Sequence, residues 1–295
     1  MEPITELTIA AREVERSRDP AVRIPRPDGD DEVAELARTL ESMLAALGEA
    51  RAETEATLTR QREFVADASH ELRTPLTSII ANLELLQESL QGSDPDEERA
   101  VVDSALRSSN RMSRLVADLL LLARADAGRP SARTSCDLAE IAGNAAAEVA
   151  PTVGERELRI ENDRPLRVDG NPDELHRVVL NLLDNAVRHT PPGSRIELRL
   201  RAAGRDAVVE VADDGPGIPP ARRDEVFDRF VRGDGPADTI RASGSGLGLA
   251  IVRAVAISHG GSAAVAESES GGALFTVRIP LSKSEQGISA PLGRL

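Results

Sequence analysis

One histidine stands among residues suited to nucleophilic chemistry: His70, in the string Phe64-Val-Ala-Asp-Ala-Ser-His-Glu-Leu-Arg-Thr-Pro-Leu-Thr-Ser-Ile79. Glu71 follows directly and can accept the Nδ1 proton, which leaves Nε2 the better nucleophile. Three further clusters lie downstream. Asn181, Asn185 and Arg188 recur at i, i+4 and i+7, one stripe of a helix. Two amides and a guanidinium in a row suit a hard cation and phosphate oxygens. Asp213 precedes Gly215 and Gly217 just after a strand-like run. Such glycines let backbone approach a flat ligand, while the carboxylate accepts from an exocyclic amine. Gly244, Gly246 and Gly248 open a helical stretch whose free N–H groups can hold phosphates.

Each cluster also has a plain explanation. A lone His beside a coiled-coil seam is usually a surface residue, and an Asn pair on a helix is usually a cap or a surface feature. Asp-Gly turns are common between strands. The glycine string lacks the Lys-Ser/Thr ending of a P-loop and the βαβ context of a dinucleotide site. What separates the four from these explanations is their occurrence together, in this order.

The elements that must position them follow from periodicity. Leu72, Leu76, Ile79, Leu83, Leu86 and Leu90 step 4, 3, 4, 3, 4 along one helix, an unbroken seam. The seam line passes through Val65, Ser69, Leu72 and Leu76, so His70 lies beside it and is expected to face solvent. Pro75 removes one helical hydrogen bond and is expected to kink the helix about one turn past His70. Gln91-Gly-Ser-Asp-Pro-Asp96 is a stop-and-restart signal. The second helix carries Met112, Leu115, Leu119 and Leu122, and ends near Gly128. Two stripes on one antiparallel hairpin, residues 51–130, make half a four-helix bundle, so a homodimer is expected.

Upstream, residues 1–50 hold two short stripes: Ile4, Leu7, Ala11, Val14, and Val33, Leu36, Leu40, Met43, Leu47. Prolines between them forbid one continuous helix, and each stripe alone is too short to be stable. From 137 to 282 the pattern becomes mixed α/β. Helices are expected at 137–150, 172–189 and 247–258, and strands at Leu158–Ile160, Arg195–Leu200, Val208–Ala212 and Ala273–Ile279. Residues 283–295 read as a flexible tail.

Composition sets outer limits. With 295 residues, 40% of them hydrophobic, more than one folded unit is expected. Four Phe and no Tyr or Trp mean that the cores are aliphatic. A net charge of −14 argues against nucleic acid as a partner, though not against a single nucleotide. The single Cys136 forms no internal disulfide, so a reducing compartment is the default. No apolar run approaches the roughly 20 residues that span a bilayer, so the chain as given is expected to be soluble.

The string around His70 resembles the phosphoacceptor box of bacterial sensor histidine kinases with a His-Glu-x-x-Thr-Pro core. That resemblance makes His70 the phosphorylated residue and Glu71 the general base. It makes Thr74 the residue that orients a water to hydrolyse the phosphorylated partner. The downstream clusters resemble the N, G1, F and G2 boxes of the Bergerat-type ATP-binding domain, with Val226–Arg232 as the F box. It implies Mg²⁺ on Asn181, phosphate contact from Asn185, and Arg188 where the family often has Lys. Asp213 would read the adenine amino group, Gly215 and Gly217 would shape its pocket, and Gly244, Gly246 and Gly248 would close on the phosphates. Residues about 219–246 would form a mobile lid in which Arg229 and Arg232 steady the γ-phosphate. His189 replaces the usual aromatic, and Asp214 stands where Asn is frequent.

Residues 1–50 resemble a HAMP signal-transmission module. The implied architecture is multidomain: an α-helical HAMP module and a dimeric four-helix bundle, then an α/β two-layer sandwich of the Bergerat fold over 137–282. The implied activity is ATP-dependent autophosphorylation on His70 and transfer to an Asp of a response regulator, with ATP and Mg²⁺ as cofactors. A phosphatase activity toward the regulator is implied as well. The resemblance further implies a transmembrane sensor upstream, which would place the full-length protein in the plasma membrane and this part in the cytoplasm. Two rivals are a plain Bergerat ATPase of the chaperone type, which lacks the His-Glu-x-x-Thr-Pro helix, and a signalling scaffold with a dead pocket.

Overall fold

The computed structural model describes residues 5, 8, 9, 12, 13, 16, 32–89, 95–128, 131–162, 164–231 and 245–282. The connector at 18–31, residues 90–94, the 283–295 tail, all four residues of the first upstream stripe, and residues 232–244 of the expected lid, with Arg232 and Gly244 among them, lie outside the described residues. Contacts divide the chain into two compact units, Met1–Ser69 and His70–Leu295.

In the first unit the second upstream stripe is helical. Glu32–Ser89 is one helix, α1, with Pro75 inside it. Ala37 and Leu44 are buried within this unit with Val33 and Leu40 partly buried against them, whereas Leu36, Met43 and Leu47 are exposed. The seam expected from spacing is thus split across two faces.

The second unit begins at His70. The helical assignment continues through Pro75, one residue past Thr74. The second helix, α2, is Pro95–Asp126. Ser78 Oγ meets Ser108 Oγ at 3.2 Å, and Asn82 Nδ2 donates to Ser104 Oγ at 3.2 Å. A step of four forward on α1 matches a step of four backward on α2, so the hairpin is antiparallel as expected.

The rest of this unit is a two-layer α/β sandwich. A short antiparallel pair, β1 (Thr134–Asp137) and β3 (Arg167–Gly170), brackets helix α3 (Leu138–Val149) and strand β2 (Glu157–Asn162). Helix α4 (Pro172–His189) follows, then β4 (Arg195–Ala203), β5 (Asp206–Asp213), helix α5 (Gly248–Ser258), β6 (Ser262–Glu267) and β7 (Ala273–Pro280). The main sheet has the order β2-β4-β5-β7-β6; only the β2–β4 pair is parallel.

Period-2 alternation explains the central strands. Ile196, Leu198 and Leu200 of β4 and Phe275, Val277 and Ile279 of β7 are buried under the helices. The charged residues alternate outward and pair across strands, as in Arg201–Glu210 at 2.7 Å. Strands β1, β3 and β6 were not expected from the sequence. Thr-Ser-Cys-Asp and Ser-Ala-Ala-Val-Ala-Glu have weak strand preference, and they are strands because a neighbouring backbone offers a ladder.

Candidate functional site

Helix α4 is anchored at both ends before it presents any chemistry. Asn171 caps it by accepting from the N–H groups of Asp173 at 3.0 Å and Glu174 at 3.1 Å, with Pro172 in the first turn. The buried His259 accepts the Asn171 N–H on Nε2 at 3.1 Å. At the other end the Arg156 guanidinium grips Thr190, with Nη2 2.5 Å and Nε 3.0 Å from its carbonyl oxygen. A cation there complements the helix dipole. Leu175, Val178, Val179, Leu182, Leu183 and Ala186 bury one face of α4. The opposite face carries Arg177, Asn181, Asp184, Asn185 and Arg188.

Asn181 Nδ2 donates to the Gly248 carbonyl at 3.2 Å, which turns its Oδ1 away from that contact. Arg188 lies 3.6 Å from Asp184. His189 is crowded by protein while keeping solvent access; burial lowers its pKa, and the Arg188 cation beside it adds to the fall.

Asp213 ends β5 and is buried. Its Oδ1 accepts from Gly215 N at 2.9 Å and Ala273 N at 3.1 Å. Burial raises its pKa, and these two N–H groups oppose the rise. Among the described residues no hydrogen bond to Oδ2 is found, although Asp213 lines a cleft. Its backbone carbonyl accepts from Ser268 Oγ at 2.7 Å and Ser270 Oγ at 3.3 Å. A Cβ on Gly272 would stand 2.1 Å from that same carbonyl oxygen, so only glycine fits. Sequence reasoning missed this 268–273 support; Ser-Glu-Ser-Gly-Gly272 was its one visible signal.

The cleft measures about 720 Å³, a volume suited to a small ligand. It brings together Asn181, Asn185, Arg188, Asp213, Gly217, Gly246 and Gly248 with the apolar Ile218, Leu249 and Phe275. Glu71 and Pro75 of α1 and Arg111 and Arg114 of α2 also line it. Gly215 stands behind Asp213, where a Cβ would lie 3.0 Å from Oδ1. His70 and Thr74 are exposed and do not line the cleft. Arg229 does not line it either, and lies 2.5 Å from Asp126 of α2. Phe230, the one described non-glycine residue with a left-handed backbone, donates its N–H to the Gly246 carbonyl at 2.9 Å. Gly246 must be glycine there, since a Cβ would meet Phe230 backbone at 2.8 Å.

Comparison with known proteins agrees with this layout. Residues 60–128 match the His Kinase A (phospho-acceptor) domain, and residues 170–283 match the histidine kinase-, DNA gyrase B-, and HSP90-like ATPase family. The probable sensor histidine kinase TcrY of Mycobacterium tuberculosis is 41% identical over 263 residues, 88% of this chain and 54% of that protein. The histidine-protein kinase/phosphatase MprB of Mycolicibacterium smegmatis is 39% identical over 285 residues, 92% of this chain and 54% of that protein. The chain therefore spans about half the length of the curated relatives it matches. Among solved structures, the Acinetobacter baumannii histidine kinase AdeS shares the fold with a TM-score of 0.57 at 22% identity, covering 72% of this chain and 98% of that one. The chain belongs to the sensor histidine kinase family, with a phosphoacceptor domain and a Bergerat-type ATPase domain. No described helix is long and apolar enough to cross a membrane.

Proposed function

We propose that this chain binds ATP in the cleft, autophosphorylates His70 and passes the phosphoryl group to an Asp of a response regulator. The observation that carries this reading is the shared lining of one cleft: Glu71, the neighbour of His70, borders the space that Asn181, Asn185 and Asp213 also border. Asp213 Oδ2 is a buried acceptor suited to the adenine amine. The Oδ1 of Asn181 is a hard oxygen that fits Mg²⁺. Bound there, the cation would offset phosphate charge. Asn185 and Arg188 hold phosphate oxygens, and Gly246 and Gly248 let backbone come close. Glu71 takes the Nδ1 proton of His70 as Nε2 attacks phosphorus, and ADP leaves. The protein's part is mainly positioning and charge stabilisation.

The exposed apolar line Leu76, Ile80 and Leu83 supports a homodimer through a four-helix bundle. Residues 1–50 act as a HAMP-like transmission module, and the natural protein is anchored in the plasma membrane by a sensor segment upstream. Phosphatase activity is a second reading. Thr74 is exposed three residues after Glu71, where it can orient a water, and the MprB relatives carry both activities in their names.

Incubation with γ-labelled ATP tests the proposal. Wild type should acquire an acid-labile, base-stable label, and His70→Gln should acquire none. Label that survived in His70→Gln would refute the assignment.

A further inference from the structure

Asp118 is a carboxylate inside an apolar stretch of α2, and the proposed chemistry does not use it. It is only 8% exposed. Its Oδ1 accepts from both Nε of Arg177 at 3.1 Å and Nη2 at 2.7 Å. Burial raises its pKa, and the cations of Arg177 and Arg114 oppose the rise. The residues three before it and four after it, Leu115 and Leu122, are buried in the same apolar cluster as α4 and the sheet. One more turn brings Asp126, ion-paired with Arg229. Leu115, Asp118, Leu122 and Asp126 therefore form one helix face committed to the α/β layer. Spacing alone had assigned Leu115 and Leu122 to the bundle seam.

Arg177 lies one turn before Asn181 and two turns before Asn185 on α4. A helix is stiff over that distance, so whatever fixes Arg177 fixes where the two amides stand. Glu71, Asp118, Arg177, Asn181 and Asn185 all border the same cleft. A buried ion pair is a poor source of stability, since desolvation consumes most of the Coulomb gain. Its two-donor fork is, however, directional.

We propose that Asp118 is a positioning residue: its ion pair with Arg177 registers the phosphate-binding face of α4 against Glu71, so that the γ-phosphoryl group is delivered beside His70. The proposal rests on the autophosphorylation reading above. It concerns the transfer step and not the binding of nucleotide, because Asp118 is anionic and its partner is already satisfied.

The test uses the full chain and four proteins: wild type, Asp118→Asn, Arg177→Lys, and the exchange Asp118→Arg with Arg177→Asp. Autophosphorylation gives kcat and KM for ATP, and calorimetry gives ADP affinity, which also certifies folding. Asp118→Asn should lower kcat by about tenfold or more, as misplacement by an ångström does, with KM and ADP affinity within about twofold. Arg177→Lys keeps the charge but loses the fork, and should fall between the two. The exchange should recover a substantial part of the lost kcat. Unchanged or raised kcat in Asp118→Asn would overturn the proposal, as would weakened ADP binding or an exchange no faster than Asp118→Asn. A wild-type chain that fails to label on His70 refutes the function itself, and is distinguishable because it is measured first.

Discussion

Along β4, β5, β7 and α4 the large aliphatic side chains are closed off from solvent within the single chain: Ile196, Leu198, Leu182 and Leu183 are all fully buried. Along α1 and α2 the same residue types stand open. Leu76, Ile80 and Leu83 are each about half exposed, and Val102, Leu106 and Leu120 keep comparable exposure. The α/β layer completes its core by itself, because three helices laid on one face of the sheet hide the apolar strand face and the helix stripes together. A two-helix hairpin has one contact surface too few. The difference separates two tasks. The proposed nucleotide cleft is built from one chain, whereas the phosphoacceptor helix presents a face that a second chain would cover.

The sharpest break of that comparison is a change that removes nucleotide binding while sparing the hairpin. Asp213 is suited to it. Its Oδ1 already accepts two backbone N–H groups, and the proposed ligand would take Oδ2. Asparagine has one oxygen, so either the backbone donors or the adenine amine must face an NH₂ group. Asp213→Asn should weaken ADP binding on the order of a thousandfold, the range seen when a site loses its hydrogen-bond complement. Calorimetry checks this, and cross-linking of the same variant should give an unchanged oligomeric state.

The converse change acts on the hairpin. Leu76→Asp with Leu83→Asp puts two charges on the open line of α1, where each leucine contributes about 2 kcal/mol if covered. The dimer dissociation constant should rise by about a thousandfold or more, read by analytical ultracentrifugation. ADP affinity should stay as it is, because neither residue lines the cleft. A variant that stays dimeric would show that these leucines are not the contact between chains.

Local pattern carried much of this. Spacing alone placed Asn181, Asn185 and Arg188 on one face, because the apolar residues of α4 mark the other. It also located α4 and the central strands, since Ile196, Leu198 and Leu200 alternate. It failed where structure depends on distant backbone. Strand β1 exists only against β3, and β6 only against β7. The supports of Asp213 lie more than fifty residues away at Ser268, Ser270 and Gly272. Arg156 gave no sign that it would grip Thr190, and nothing local singled out Asp118, because its partner Arg177 is on another element. Periodicity reports which face is apolar, but not which neighbour covers it. That is why Leu115 and Leu122 looked like bundle seam.

The smallest expected effect is a pH dependence confined to the α/β layer. Burial raises the Asp213 pKa above its ordinary value near 3.8. A group whose pKa is raised on folding contributes stability that is present below the unfolded pKa and lost as pH rises through the folded one. Ionising Asp213 without ligand therefore costs stability, and the cost sets in as pH climbs from about 4. Other carboxylates behave oppositely and would mask it in wild type alone. The informative quantity is the difference in Tm between Asp213→Asn and wild type, both without nucleotide. It should move in favour of Asp213→Asn by a degree or two between about pH 4 and 7. ADP should reverse the order at neutral pH, since only wild type gains binding energy from the ionised Oδ2. A flat difference would mean that the two N–H groups on Oδ1 already compensate the burial. The hairpin supplies the control, because Leu76→Asp with Leu83→Asp should leave this Asp213 difference unchanged.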